Sequence, residues 1–301
     1  MQARSVSNRI PALFSLFALA ALLLAGCGQR KAEQRQPAAH GPRIVSLAPS
    51  LTEMLYAIGA GDQLVGRTSA CDWPLEARKV PVVGGFGRPS SEVLASIRPD
   101  IVVEVDLDKE LIGKSLGSLG LRIEHIQCRT PDDIPSALRQ LGKLSGHVRK
   151  ADSLAGVIET GLSDYRKQAA ATPRKTKVYL EIWDDPLWTG GRNSFTSAMI
   201  DYAGGINIGD AVDKEYFEVS PEWVIRQDPE VIACMYMSKA APSAELMRNR
   251  TGWSGIAAVR NGRIHGDFDN NLYLRPGPRI LEGIAGLKRL IGSGDRQHQQ
   301  E

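Results

Sequence analysis

The sequence lacks the cysteine and histidine spacings from which proteins build metal sites. Its 4 cysteines include no C-x-x-C pair, and its 5 histidines are scattered along the chain, whereas zinc sites need closely spaced ligands. It also contains no G-x-x-x-x-G-K-[ST] phosphate loop, and Gly59-Ala60-Gly61 follows a predicted helix rather than a strand, which excludes a dinucleotide-binding turn. We therefore expect no protein-bound metal, no cofactor and no catalytic residues.

An excess of charge of one sign is also missing. The chain has 37 Lys and Arg against 34 Asp and Glu, a formal net charge of +3. Arg4 and Arg9 lie in a segment that we expect to be removed, which leaves 35 basic and 34 acidic residues, or +1. A near-neutral chain without a basic stripe predicts no nucleic-acid partner.

The N-terminus has the organisation of an export signal. Two arginines precede the apolar run 11–25, which is too short to span a bilayer. The run leads into LAGC, ending at Cys27, which resembles the bacterial lipobox, in which the cysteine is lipidated and becomes the first mature residue. We predict a signal peptide at 1–26, lipidation of Cys27 and a flexible polar tether at 27–42. The protein would then be exported and lipid-anchored, facing the periplasm or the cell exterior; the alternative is a short membrane anchor with an incidental cysteine.

The stretch His147–Ala170 predicts one long helix. Its apolar residues recur at steps of three and four, which keeps them on one face. Gly146 precedes it, and Pro173 ends it by disfavouring helical geometry in the residue before. At 1.5 Å per residue the rod is about 36 Å long, so we interpret 146–172 as a rigid helix that joins two lobes.

Strands alternate with helices on both sides of this helix, which predicts an α/β fold with parallel sheets. The lobes are expected at 43–145 and 173–292, each with its own core, followed by a frayed tail at 293–301. The predicted strands are Arg43–Leu47, Gln63–Thr68, Ile101–Val105, Arg122–Ile126, Lys177–Ile182, Glu230–Met235 and Arg263–Gly266. The predicted helices are Leu51–Ile58, Ser91–Ile97, Lys109–Leu119, one from about Asp132, Ser194–Tyr202, Pro221–Arg226, Ala244–Arg248 and Pro278–Ile291, with 184–192 as a loop.

The two lobes read as copies of each other. Glu92 stands seven residues before the Pro99 that opens one strand, and Glu222 stands the same distance before Pro229. Each glutamate occupies the second position of a predicted helix, where the helix dipole favours an acid by about 0.3–1 kcal/mol. That effect suffices for either residue alone; a matched pair is also what a two-fold symmetric partner with arginine pockets would bind.

Aromatic residues are concentrated in the loops that follow strands. They are Trp73, Phe86, Trp183, Trp188, Tyr216, Phe217, Phe268 and Tyr273. Ligands of open parallel sheets bind beyond the carboxyl ends of the strands, so two facing lobes would form an aromatic-lined cleft for a large ligand with apolar faces. The alternative is that individual rings fill gaps between helices and sheets.

Three cysteines remain after the signal segment. Cys234 lies in an apolar strand and is expected to be a small buried residue. Cys71 and Cys128 fall near strand ends in an exported protein, where a disulfide can persist. Their pairing is left open, with two unpaired thiols favoured.

Four motifs resemble a known family: RIVSLAPSLTE at Arg43–Glu53, CDWP at Cys71–Pro74, VGGFG at Val83–Gly87 and RPDIV at Arg98–Val102. They are similar to the substrate-binding proteins of ABC importers for ferric siderophores, haem and cobalamin, and most similar to the cobalamin-binding members. The resemblance spans about 42–291. It implies the class III periplasmic binding protein fold, in which two pseudo-symmetric α/β lobes are joined by one long rigid helix.

The resemblance also implies roles for individual residues. Glu92 and Glu222 match the paired surface glutamates that dock onto arginines of the permease dimer. Together with the loop pattern, it gives the predicted ligand-binding residues: Pro49, Ser50, Trp73, Phe86, Gly87, Trp188, Tyr216, Phe217, Asn271 and Arg275.

The function implied is capture of cobalamin or a related corrinoid and its delivery to an ABC permease with its ATPase subunits, without chemistry. One alternative is a ferric-siderophore or haem binder of the same class. Another is a lipid-anchored enzyme or sensor that reuses the fold.

Overall fold

The computed structural model describes residues 41–105, 116–236 and 244–292. The first lobe contains short strands that alternate with helices. Its elements are β1 (Ile44–Ser46), α1 (Pro49–Ala57), β2 (Leu64–Arg67), β3 (Gly84–Gly85), β4 (Arg88–Pro89), α2 (Ser91–Ile97), β5 (Ile101–Glu104), β6 (Ile123–His125) and α3 (Ile134–Ser145).

One long helix, α4 (Val148–Ala170), leads into the second lobe. The elements of that lobe are β7 (Thr176–Glu181), β8 (Trp183–Asp184), β9 (Leu187–Gly190), α5 (Phe195–Tyr202), β10 (Gly205–Asn207), β11 (Tyr216–Glu218), α6 (Pro221–Gln227), β12 (Val231–Cys234), α7 (Ala244–Arg248), α8 (Ala257–Arg260), β13 (Ile264–His265), α9 (Asn271–Leu274) and α10 (Ile280–Gly292).

Each lobe is built on a four-stranded parallel sheet, and the two sheets have the same topology. The strand order is β2-β1-β5-β6 in the first lobe and β10-β7-β12-β13 in the second. In each of these sheets, the strand that comes first in the chain lies between the second and the third strands of that sheet. The central strands β1, β5 and β12 are buried along their whole length, as expected for parallel sheets covered on both faces. The predicted fold class is therefore confirmed.

The duplication extends to backbone conformation. Arg98 and Asp228, six residues after the paired glutamates, are the non-glycine residues with positive φ among those described, at 51° and 47°. Each ends a helix in the left-handed conformation. The acid two residues later then accepts a hydrogen bond from the neighbouring strand: Asp100 from the Arg43 amide at 2.8 Å and Glu230 from the Lys177 amide at 3.1 Å.

The predicted connecting helix is present as α4, with 23 residues and a length of about 35 Å. Ala151, Ala155, Ile158 and Leu162 form its buried face. Two apolar residues with the same three- and four-residue spacing, Val148 and Val157, do not belong to this face, because they are 43% and 59% exposed. They lie on the solvent side of a helix whose contacts with both lobes use only the narrower stripe.

The expectation of two separate cores is wrong. One hydrophobic cluster runs through both lobes and the connecting helix, and includes Leu51, Leu138, Ile158, Met199 and Ile284. Smaller clusters lie under the outer face of each sheet. A second contact also joins the lobes: the Tyr202 hydroxyl of α5 donates to Asp132 of the first lobe at 2.7 Å, and Arg166 of α4 donates to the same carboxylate. A shared core and shared polar contacts resist relative movement of the lobes.

The sequence prediction missed the hairpins β3–β4 and β8–β9, the strands β10 and β11, and the short helices α8 and α9. The predicted loop 184–192 is largely the hairpin β8–β9, which joins β11 in a three-stranded antiparallel sheet, and Gly205–Asn207 forms the edge strand β10 rather than only ending a helix. Three predicted segments lie outside the described residues: most of the helix Lys109–Leu119, the tether 27–42 up to residue 40, and the tail 293–301. No helix in the described part of the chain is long and apolar enough to cross a membrane.

Candidate ligand-binding cleft

Two adjoining cavities open between the lobes. One has a volume of about 190 Å³ and the other about 320 Å³. Both are lined by Phe86, Val105 and Cys128 of the first lobe and by Leu274 and Pro276 of the second. The described residues thus place one continuous cleft at the loops that follow the strands, where open α/β sheets bind ligands.

The wall on the first lobe is formed by two loops. Pro49 and Ser50 begin α1 and line the smaller cavity. Phe86 lies at the tip of the β3–β4 hairpin, where it is 44% exposed. Gly87 follows with a φ of 72°, a left-handed conformation that glycine adopts without strain. Pro49, Ser50 and Phe86 therefore line the smaller cavity together, with the Phe86 ring open to a ligand, whereas Gly87 lines neither cavity.

The wall on the second lobe is carried by the antiparallel sheet. Tyr216 of β11 lines the larger cavity and is 37% exposed. Partial burial, followed by the charge of Glu215, raises the pKa of Tyr216 to about 12. Its hydroxyl is therefore protonated at neutral pH and can donate a hydrogen bond to a ligand.

The structure corrects the placement of Phe217. Successive side chains of a strand point to opposite faces, so Phe217 points away from the cleft while its neighbour Tyr216 faces it. Phe217 is only 9% exposed and packs edge-on against Trp223, with ring centroids 5.8 Å apart. It belongs to the core of the second lobe and does not line the cleft.

Trp73 and Trp188 are exposed but line neither cavity. Trp188 is 36% exposed on β9, opposite Glu218 in the antiparallel pairing. Trp73 is 43% exposed, and the guanidinium of Arg279 lies 4.7 Å from its ring centroid. Both rings are accessible to a ligand that extends beyond the two cavities.

The floor of the smaller cavity is contributed by α9 and the segment after it. Asn271 and Arg275, both predicted, are among its lining residues. Arg275 is already engaged by the first lobe: it donates to Asp72 at 2.8 Å and, at 3.3 Å, to Glu53. Burial acts to raise the pKa of Asp72, but the hydrogen bond and charge of Arg275 outweigh it and lower that pKa.

Sequence reasoning missed several residues of the cleft. Arg129, Asn193, Ser194, Phe195 and Glu215 line the larger cavity. Cys128 lies between the two cavities as a free thiol that donates to the Pro276 carbonyl at 3.4 Å. Burial, followed by the charge of Asp133, raises the pKa of Cys128 to about 12, so the thiol is protonated. Asn193 comes directly after the predicted loop 184–192, which contains Trp188. That position in the sequence is the signal by which Asn193 could have been predicted as a cleft residue.

The three cysteines among the described residues are unpaired. Cys71 and Cys234 are both buried free thiols, like Cys128. Among the described residues no group of three or more His, Cys, Asp or Glu side chains could hold a metal ion.

The sequence contains one G-x-S-x-G spacing, at 113–117. Its first three residues lie outside the described residues. The sequence around it predicts a helix, not the strand-turn-helix of a nucleophile elbow.

The paired glutamates have matching geometry away from the cleft. Glu92 and Glu222 are exposed in the first turns of α2 and α6. Ser90 accepts a hydrogen bond from the Val93 amide, and Ser220 accepts one from the Trp223 amide, so both serines are N-caps. Hydrogen bonds from its own backbone amide and from Ser220 lower the pKa of Glu222.

Comparison with known proteins decides the family. Residues 44–267 match the periplasmic binding protein family. The chain belongs to that family. An uncharacterized ABC transporter substrate-binding lipoprotein, YvrC of Bacillus subtilis, is 28% identical, with 93% of this chain and 96% of that protein covered.

Two solved structures give the same result. The periplasmic vitamin B12 binding protein BtuF of Vibrio cholerae is 25% identical and superposes with a TM-score of 0.73 over 85% of this chain and 98% of that one. The periplasmic heme-binding protein RhuT of Roseiflexus sp. RS-1 is also 25% identical, with a TM-score of 0.75 over 84% and 98%. This chain is therefore an extracytoplasmic solute-binding protein of the class that includes these proteins, which confirms the family resemblance.

Proposed function

We propose that the protein captures cobalamin or a related corrinoid in the cleft between its lobes and delivers it to an ABC importer without chemical change. Support for the importer comes from the family and from similarity to a substrate-binding lipoprotein of an ABC transporter. Support for the corrinoid comes from the four motifs of the first lobe and from similarity to a vitamin B12 binding protein. Cys27 would anchor the protein through lipid to a membrane, facing the periplasm or the cell exterior.

The observation that carries the proposal is the pairing of Phe86 and Tyr216 across one cleft. Each ring belongs to a different lobe, lines the larger cavity and keeps more than a third of its surface exposed. A fully buried aromatic side chain covers about 150–250 Å², so two opposed rings favour a broad ligand with apolar faces. The polar groups around them, Asn271, Asn193 and the protonated Tyr216 hydroxyl, can bind amide or phosphate groups at the edge of such a ligand.

The lining of the cleft also bears on the choice between corrinoid and haem. Among the described lining residues no histidine or methionine occurs, and the Cys128 thiol and the Tyr216 hydroxyl are the groups that remain for an axial haem contact. A haem with an open axial position would have to displace the proton of one of these two groups on coordination. A corrinoid whose cobalt already has its axial ligands needs no ligand from the protein.

Delivery is proposed to use Glu92 and Glu222, one on each lobe, as contacts for two arginine pockets of a permease dimer. Bidentate arginine–carboxylate pairs give this type of contact its geometry. Because α4 and the shared core resist closure or opening of the lobes, release of the ligand would require the permease to separate them.

Titration calorimetry of the purified protein with cyanocobalamin, haem and a ferric catecholate tests the ligand. Cyanocobalamin should bind with one-to-one stoichiometry and should give the largest affinity of the three. Heat from haem or the ferric catecholate alone would overturn the corrinoid assignment and leave the class intact. The Phe86→Ala variant serves as the control, because its weaker binding would locate the measured heat in the cleft.

A further inference from the structure

The segment Arg275–Arg279 of the second lobe is held by three separate parts of the first. Arg279 and Arg275 both bond to Glu53 of α1. Arg275 also donates to the Ala70 carbonyl at 3.3 Å, in the loop after β2. The Pro276 carbonyl accepts from Cys128, in the loop after β6. This segment borders the smaller cavity, so these contacts fix the distance between the lobes at the floor of the cleft.

Glu53 is the common partner in this cluster. It is 4% exposed and is more than 220 residues from both arginines in sequence. Its two oxygens accept from Arg279, with Nε to Oε2 at 3.0 Å and Nη2 to Oε1 at 3.1 Å. A two-point arginine–carboxylate contact fixes orientation as well as distance.

Arg279 also contacts the exposed aromatic ring of Trp73. The Arg279 guanidinium lies over the Trp73 ring, and its Nη1 also donates to Asp269 at 3.1 Å. Glu53 therefore holds Arg279 in the position from which it stacks on Trp73. Through Arg275, it also holds a residue that lines the cavity.

We propose that Glu53 is a positioning residue for ligand binding, which sets the width of the cleft and the placement of Arg275 and Trp73 by joining both arginines to the first lobe. It does not line either cavity and acts only through the two arginines. This inference rests on the proposed function for its ligand, but the geometry it describes can be measured without one.

The second lobe offers a matched control. Glu181 is fully buried and accepts two hydrogen bonds from Arg250, whose guanidinium lies over Trp253. The two clusters share a buried glutamate, a bidentate arginine and a stacked tryptophan. Glu181 has the Tyr236 hydroxyl where Glu53 has its second arginine. The difference that the test uses is that the Glu181 cluster lies within a single lobe, whereas the Glu53 cluster joins two.

The test compares Glu53→Gln with Glu181→Gln in the full-length mature protein. Spin labels on cysteines introduced at Ser96 of α2 and Arg226 of α6, both exposed helix positions, report the distance between the lobes. The native thiols in the described residues are buried, and Cys27→Ser removes the remaining one, so labelling is confined to the introduced cysteines. Glu53→Gln should broaden the distance distribution, whereas Glu181→Gln should leave it unchanged.

The second readout is the dissociation rate of cyanocobalamin, which we expect to rise about tenfold in Glu53→Gln and to stay unchanged in Glu181→Gln. Should Glu53→Gln fail to fold, Arg279→Lys keeps the charge but removes the two-point contact, and the same broadening is expected there. An unchanged distance distribution, or equal broadening in Glu181→Gln, would overturn the proposal. If the unmodified protein binds no corrinoid, the proposed function fails, and the distance measurement still decides the role of Glu53.

Discussion

The two lobes share a strand order but build the walls of the cleft differently. The first lobe presents Phe86 on a hairpin of two-residue strands, and the second presents Tyr216 on a three-stranded antiparallel sheet. Away from the cleft the lobes agree down to the left-handed residue that ends each glutamate-bearing helix. The glutamate-bearing surfaces, which are alike in the two lobes, suit a partner with two-fold symmetry. The cleft walls, which differ between the lobes, suit a ligand that has no such symmetry.

The largest effect is expected from reversing the charge of both shared glutamates. In the double variant Glu92→Lys and Glu222→Lys, uptake of the ligand by cells should fall to background, because two arginine pockets would face like charges. Affinity for the ligand should not change, because neither residue lines the cleft. Cell uptake of labelled ligand and calorimetry measure the two outcomes.

The control for that variant is Glu245→Lys, which reverses an exposed first-turn glutamate on α7 and should leave uptake intact. Loss of ligand affinity in the double variant would show that the glutamates do not lie on a docking surface distinct from the cleft.

Neighbouring residues of β11 should separate stability from binding. Phe217→Ala removes a ring from the core of the second lobe and should lower the free energy of unfolding by about 3–5 kcal/mol. Tyr216→Ala should leave that free energy nearly unchanged and weaken ligand binding. Denaturant unfolding and calorimetry on both variants check the pair, and a reversed pattern would mean that the alternation along β11 is wrong.

Local patterns in the sequence were enough to predict the parallel strands and the main helices that the two lobes share. The buried strands are short β-branched runs such as 101–103, and the helix after Ser90 begins at Ser91, as predicted. These features depend on neighbours within a few positions. The pairing of β9 with β11 depends on contacts between residues far apart in the chain, and 184–192 reads locally as a loop because it contains Pro186 and two glycines.

The buried cluster around Glu53 was out of reach for the same reason. Glu53 is the only charged residue of α1, which is a signal of a buried ion pair, but nothing near it in sequence supplies the partner. Its arginines follow more than 220 positions later. Phe217 shows the converse error, because two adjacent aromatic residues on a strand cannot both face one cleft.

The two walls should contribute unequally to affinity. Phe86→Ala should raise the dissociation constant of the ligand about ten- to hundredfold, or about 1.4–2.8 kcal/mol, because the ring lines both cavities and covers the ligand. Trp188→Ala should cost less than tenfold, since that ring lines neither. Calorimetry gives both values, and a larger loss for Trp188→Ala would place the ligand outside the described cavities.

Smaller effects are expected where the connecting helix packs against each lobe, and glycine-to-alanine variants compare how tight these contacts are. A methyl group on Gly142 would lie 2.4 Å from the Ala151 Cβ, so Gly142→Ala should separate α3 from α4 and cost about 1–3 kcal/mol. A methyl group on Gly161 would meet the end of the Leu281 side chain, which can rotate, so Gly161→Ala should cost less.

The control is Gly156→Ala, where nothing lies within 4 Å and the helix should gain about 1 kcal/mol. Thermal unfolding of the three variants gives the order. A gain in stability from Gly142→Ala would contradict the tight contact between the first lobe and the connecting helix.

A crystal structure of the protein grown with cyanocobalamin would show directly whether the cleft binds a corrinoid. We expect a corrinoid between Phe86 and Tyr216, with Glu53 still joined to Arg279 and the two lobes at the separation described. A ligand bound elsewhere on the surface, or a cleft closed by its own side chains, would contradict it.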